Sequence, residues 1–109
     1  MNLHLDTTLP KKTLVRIGDR EFIQELQRPQ DQQIVVYIDQ CLKTMGLDIS
    51  GISSLSVNPG PGSFTGTRVG VAVANALGFA LKIPVNGHKS PIEVVYDTAP
   101  NVTQPKDKN

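Results

Sequence analysis

Cysteine occurs once, at Cys41, so no intramolecular disulfide can form, and neither a bridged secreted scaffold nor a cysteine-rich zinc site is in prospect. Net charge is also scarce. The balance of 11 Lys and Arg against 10 Asp and Glu leaves +1, which supplies no basic field for gripping RNA unaided. Long apolar runs are missing as well. The most apolar window, residues 69–85, is short, rich in Gly and Ala, and interrupted by Asn75 and Lys82, so no bilayer-spanning segment is expected. The N-terminus lacks the charged and apolar regions of a signal peptide, and a cytoplasmic home fits these shortages. What is present, 109 residues of which 39% are hydrophobic and 19% charged, suffices for one domain with a single core.

The chain opens with three alternating segments: Leu3 to Asp6, Thr13 to Gly18 through Val15 and Ile17, and residues 20–28, where Phe22, Gln24 and Leu26 share a face. Turn-forming runs between them predict three antiparallel strands, the polar third one an edge. Pro29 closes that strand, and Asp31 can cap a helix running to about Met45, with Gly46 as its stop. Ile34, Val35, Ile38, Leu42 and Met45 give this helix an apolar stripe, widened by Val36, Tyr37 and Cys41. After a connector over 47–51, residues 52–57 predict a strand, 65–82 a helix, and 84–87 a strand parallel to 52–57 through a right-handed crossover. The expectation is an α/β domain with a mixed five-stranded sheet and two main helices.

The second helix carries two patterns. Val69, Ala72, Val73, Ala76 and Ala80 read as its core stripe, whereas Gly70, Ala74 and Gly78 stack at four-residue intervals on a neighbouring face. Two glycines inside a helix cost about 1 kcal/mol each relative to alanine. Close packing should offset this, against the first helix or against another molecule.

Between strand and helix runs Asn58-Pro59-Gly60-Pro61-Gly62-Ser63-Phe64-Thr65-Gly66-Thr67-Arg68. Pro59 and Pro61 let neither element continue; Gly60, Gly62 and Gly66 allow close approach to the backbone; Ser63 can cap the helix, and Arg68 lies about one turn further in. A phosphate or carboxylate would be favoured at that helix start. The run lacks the Gly-Lys-Ser/Thr ending of a P-loop and the Gly-x-Gly-x-x-Gly spacing of a dinucleotide fingerprint, so a plain chain reversal stands beside anion binding. Asp6 reads as structural in preference to a metal ligand. His4 reads as a packed or edge residue, because no second His or Cys lies at metal spacing and His88 is far along the chain. Neither a paired-His motif nor an alignable Ser-His-Asp set is present.

Val57 to Arg68 closely resembles the GPGSFTGLRxG signature of the bacterial TsaB (YeaZ) family, a subunit of the machinery that makes threonylcarbamoyladenosine in tRNA. The signature is also related to a segment of the catalytic partner TsaD. Leu3-His4-Leu5-Asp6-Thr7-Thr8 is similar to the family's opening ILAIDTS, Asp48 and Ser50 to its LSLSDLD run, and Lys82-Ile83-Pro84-Val85 with Gly87 to its LNIPLVGV. The resemblance covers residues 1 to about 88 and implies one actin-like, ribonuclease-H-like lobe over 1–90, where usual members have two. Pro91 to Tyr96 faintly resembles the family's PxYLR segment, a candidate extra strand over 91–97; residues 98–109 are expected to be a disordered tail.

The resemblance further implies a noncatalytic subunit that binds a TsaD-like enzyme, with a TsaE-like ATPase as a further partner, a homodimer when alone, tRNA only through the complex, and no membrane. The two helices match the family's partner surface. The interface candidates are therefore Ile34, Tyr37, Ile38, Cys41, Gly70, Ala74 and Gly78, and the signature loop comprises Gly60, Pro61, Gly62, Ser63, Phe64, Thr65, Gly66 and Arg68. No catalytic residue and no metal ligand is expected. The alternative is a nucleotide- or phosphate-binding actin-like domain, with the loop and Ser63 for phosphate and Asp6 for Mg²⁺. ATP or ADP with Mg²⁺ could also occupy a site completed by the partner.

Overall fold

The computed structural model describes residues 1–27, 33–89 and 91–95. The alternating segments form β1 (Asn2–Asp6), β2 (Lys12–Ile17) and β3 (Arg20–Glu25), followed by α1 (Ile34–Thr44), a single 3-10 turn (Ile49–Gly51), β4 (Ser54–Val57) and α2 (Phe64–Leu81). The sheet order is β3-β2-β1-β4, with β1 antiparallel to β2, β2 antiparallel to β3, and β1 parallel to β4. Period two puts Leu3, Leu5, Val15, Ile17, Leu55 and Val57 on one face, all buried. Both helices lie on that face, since Ile34, Ile38, Cys41 and Leu42 of α1 and Val71 and Ala74 of α2 join the same cluster. The opposite face carries His4, Arg16, Ser54 and Ser56 and stays at least partly open.

Most expected elements appear within two residues of their predicted ends. Asp31, the predicted cap of α1, lies outside the described residues; the cap position is Gln33, which makes no side-chain capping bond. At α2 the capping residue is Ser63, as expected, its hydroxyl accepting from Gly66 N at 3.4 Å.

Three expectations need correction. The first concerns which way α2 faces: Gly70, Ala74 and Gly78 are buried against the sheet, while Val69, Ala72, Ala76 and Ala80 are exposed and Val73 is half-buried. The reason is distance. A Cβ on Gly70 would collide with Thr7 Oγ1 and one on Gly78 would lie 2.5 Å from Val85 Cγ2, so the helix sits too close to its own sheet for larger residues there. The second concerns the membrane. By length and composition alone α2 suffices to cross one, although here its small-residue face lies on β1 and β4.

The third concerns the fifth strand. Val85 makes one parallel bridge to Leu55 and goes no further. Asn86 and Gly87 take positive φ, 52° and 78°, and Val85 exchanges both backbone bonds with His88 at 2.9 Å, which makes a two-residue hairpin turn of the type Asn-Gly favours. The side chain of Asn86 then supplies what the next strand residue would have: Oδ1 accepts from Val57 N at 2.8 Å and Nδ2 donates to Val57 O at 3.0 Å. Residues 91–95, part of the candidate extra strand, carry no strand either, and 98–109 lie outside the described residues.

This side-chain substitute for a ladder is testable. Asn86→Ala strands both polar groups of the buried Val57 and forces alanine into the left-handed region, a cost of about 2–3 kcal/mol. Urea unfolding should show a lower midpoint at unchanged slope. Asn86→Gly, which removes only the hydrogen bonds, should lose less.

Candidate functional site

The signature loop begins where the parallel ladder ends, at Asn58 N bonded to Leu5 O at 3.0 Å. The Asn58 side chain then works in two directions, accepting from Gly60 N at 3.1 Å and donating to Asp6 Oδ2 at 3.2 Å. Further along, Ser63 N donates to Thr8 O at 2.6 Å, and the buried Thr7 hydroxyl donates to Gly66 O at 2.6 Å. The end of β1 and the start of α2 are thereby joined at both ends of the turn.

The glycines serve this junction. A Cβ on Gly62 would lie 2.5 Å from Thr8 Cβ, and one on Gly60, where φ is +100°, would lie 2.5 Å from Val95 O. The position that a side chain on either glycine would take is occupied by the chain itself.

Asp6 likewise has its oxygens engaged. Oδ1 accepts from Thr8 N at 2.9 Å and from Thr8 Oγ1 at 2.7 Å, an Asx turn, while Oδ2 takes the Asn58 amide. Partial burial works to raise its pKa, but the two Thr8 bonds and the Asn58 bond together hold it below the usual carboxylate value. A carboxylate serving three donors is a turn-former, and no set of three His, Cys, Asp or Glu side chains able to hold a metal ion occurs among the described residues.

Arg68 does not enter the loop. Its guanidinium lies 4.9 Å from the Phe64 ring centroid, and both residues are exposed on the first turns of α2. Thr65 is exposed as well, as are Pro61 and Gly62, whereas Gly66 is buried. His4 pairs with Ser56 Oγ at 2.8 Å on the open sheet face, and His88 is exposed.

Of the seven interface candidates, Ile34, Ile38, Cys41, Gly70, Ala74 and Gly78 are buried within this chain, so they are not available at its surface; Tyr37 is half-buried. The apolar part of the outward helix surface consists of Val35 and Val36 on α1 and Phe64, Val69, Ala72, Ala76, Phe79 and Ala80 on α2, beside the exposed Asp39, Gln40, Lys43 and Thr44 of α1 and Thr65 and Arg68 of α2. Phe79 is 88% exposed. Sequence reasoning also missed Thr67, which is buried under the loop with its hydroxyl unpaired, and the amides of Asn75 and Asn86; only Asn86-Gly87 offered a readable signal, the hairpin dipeptide.

A family profile described as TsaD: tRNA N6-adenosine threonylcarbamoyltransferase matches residues 24–104. The tRNA threonylcarbamoyladenosine biosynthesis protein TsaB of Haemophilus influenzae is 37% identical over 86 residues, which cover 76% of this chain and 36% of that protein. The protein of the same name from Escherichia coli is 35% identical over 60 residues, 55% of this chain and 26% of that one. The solved structure of YeaZ from Pseudomonas aeruginosa matches with a TM-score of 0.64 at 28% identity, covering 77% of this chain and 42% of that one. The chain spans well under half the length of these relatives.

Two outcomes test the geometry. Gly70→Ala on an outward helix face would stabilise by up to about 1 kcal/mol; here, against Thr7, it should destabilise by about 1–3 kcal/mol, read from the unfolding midpoint of dilute protein. For Asp6, the folded pKa lies below the unfolded one, so its contribution is complete above the unfolded value, about 3.9, and is lost as pH falls through the folded value. Asp6→Asn should therefore lower stability at neutral pH and flatten the acid limb of the stability curve.

Proposed function

The chain belongs to the TsaB (YeaZ) family, and on that premise we propose that it is a noncatalytic subunit supporting a TsaD-like enzyme in threonylcarbamoyl transfer to tRNA adenosine. The observation that carries the reading is the signature run from Asn58 to Arg68, set between a core strand and a long helix whose outer face is apolar beyond Arg68. Val69, Ala72, Ala76, Phe79 and Ala80 on α2, with Val35 and Val36 on α1, supply the docking surface in this proposal. Such a face suits another pair of helices, from the TsaD-like enzyme or, when the chain is alone, from a second copy. Contact with tRNA is then made by the complex, in the cytoplasm, because a net charge of +1 gives this chain little hold on a polyanion. A TsaE-like ATPase is the further partner assigned to that complex.

Nucleotide with Mg²⁺ belongs, in this reading, to a site completed by the partner. Supporting this, the loop glycines abut Thr8 and Val95 and the Asp6 carboxylate is taken up by Thr8 and Asn58. Millimolar ATP or ADP with Mg²⁺ should leave the Tm of the free chain unchanged, since stabilisation follows RT ln(1 + [L]/Kd). A clear rise would return the loop to consideration as a phosphate site.

Docking is tested by light scattering after size exclusion of mixtures with a TsaD-like subunit. The wild type should form a complex at micromolar concentration. Ala72→Glu and Val36→Glu, both at exposed positions, should abolish it while circular dichroism stays unchanged. No complex with the wild type, or one indifferent to both charges, would count against the proposal.

A further inference from the structure

Residues 91–95 carry neither strand nor helix, yet three backbone hydrogen bonds fix them. Asn75 of α2 donates from Nδ2 to Ile92 O at 2.9 Å and accepts from Ile92 N at 2.8 Å. Three residues on, Val95 N donates to Pro59 O at 2.7 Å. Ile92 and Val94 lie half-buried against the core, while Pro91, Glu93 and Val95 face outward.

An asparagine amide presents one donor and one acceptor in a plane, the pattern that a strand edge presents. Asn75 therefore holds the main chain of Ile92 whatever side chain stands there. The other end of the segment meets the signature loop at a tight point, since Val95 O occupies the space a side chain on Gly60 would need.

We propose that Asn75 is a positioning residue and that 91–95 is a latch: by seating Ile92 on α2, Asn75 places Val95 over the Pro59-Gly60 turn and sets the conformation of the signature loop. The proposal concerns the loop in the isolated chain and holds whichever molecule docks on the helices. With the latch seated, Pro59 O is bonded and Gly60 is enclosed between Val95 O and Thr67. Released, the turn keeps its Asn58 and Ser63 anchors and loses its cover.

The test is amide hydrogen exchange and amide NMR on the full chain. In Asn75→Ala, Ile92 loses its partners directly, so the informative amides are distant ones. Val95 should exchange at least about tenfold faster, and the Gly60 and Gly62 resonances should move, while amides of Leu3 and Val15 keep their protection. Val95→Pro is the second variant. It deletes the donor to Pro59 at an exposed position, leaves α2 untouched, and should move the same glycine resonances. Unchanged glycine resonances in either variant would overturn the latch. Equal acceleration of the core amides would overturn it too, because Asn75 would then support the fold at large and not the loop.

Discussion

The molecule depends on the closeness of α2 to the sheet beneath its first three turns. Thr7, at the end of β1, reaches Gly66 O with its hydroxyl and lies against Gly70, so one side chain sets the separation at two successive turns. No side chain fits at Gly70 or Gly78, and Gly66 and Ala74, on the same line, are buried too. Phe64, Arg68, Val69 and Phe79 turn outward, whereas Val71, beside that line, enters the core. The glycine spacing that looked like an invitation to another molecule is the means by which the helix lies on its own sheet, and the apolar outer face is the consequence.

Much of the architecture was legible because its signals are local. Period-two alternation marked β1 to β3, the proline-glycine run marked a break, and Ser63 marked a helix start. The rotation of α2 about its axis was not legible. A helix composed mainly of Gly, Ala and Val has two plausible apolar stripes, and the choice is decided by how near the sheet lies, a quantity set by Thr7, distant in the chain, and by Val85, just past the end of the helix. The termination of the fifth strand was legible in principle. Asn86-Gly87 is a hairpin dipeptide, and its reading was masked by the apolar Ile83-Pro84-Val85 that precedes it.

At the candidate site, sequence identified the loop and the close approach to its glycines, though not the approaching group. Gly60 and Gly62 signalled close approach, which is what the structure has, but the group that approaches is the chain's own backbone, at Val95 and Thr8. No local pattern distinguishes a glycine that admits a ligand from one that admits another loop. The structural reading of Asp6 follows from neighbours that were visible: Thr8 two residues on gives an Asx turn, and Asn58 arrives through the parallel pairing of β1 with β4.

Asn75 and Asn86 each grip another residue through main-chain atoms alone, Ile92 in one case and Val57 in the other. Such contacts place their informational burden on one member. The gripping position tolerates almost nothing, since even glutamine would carry the amide a methylene too far, whereas the gripped position is constrained only by the volume around its side chain. A library covering all four positions should accordingly return two narrow spectra and two broad ones, and anyone searching for correlated changes between the partners would find none despite their direct contact.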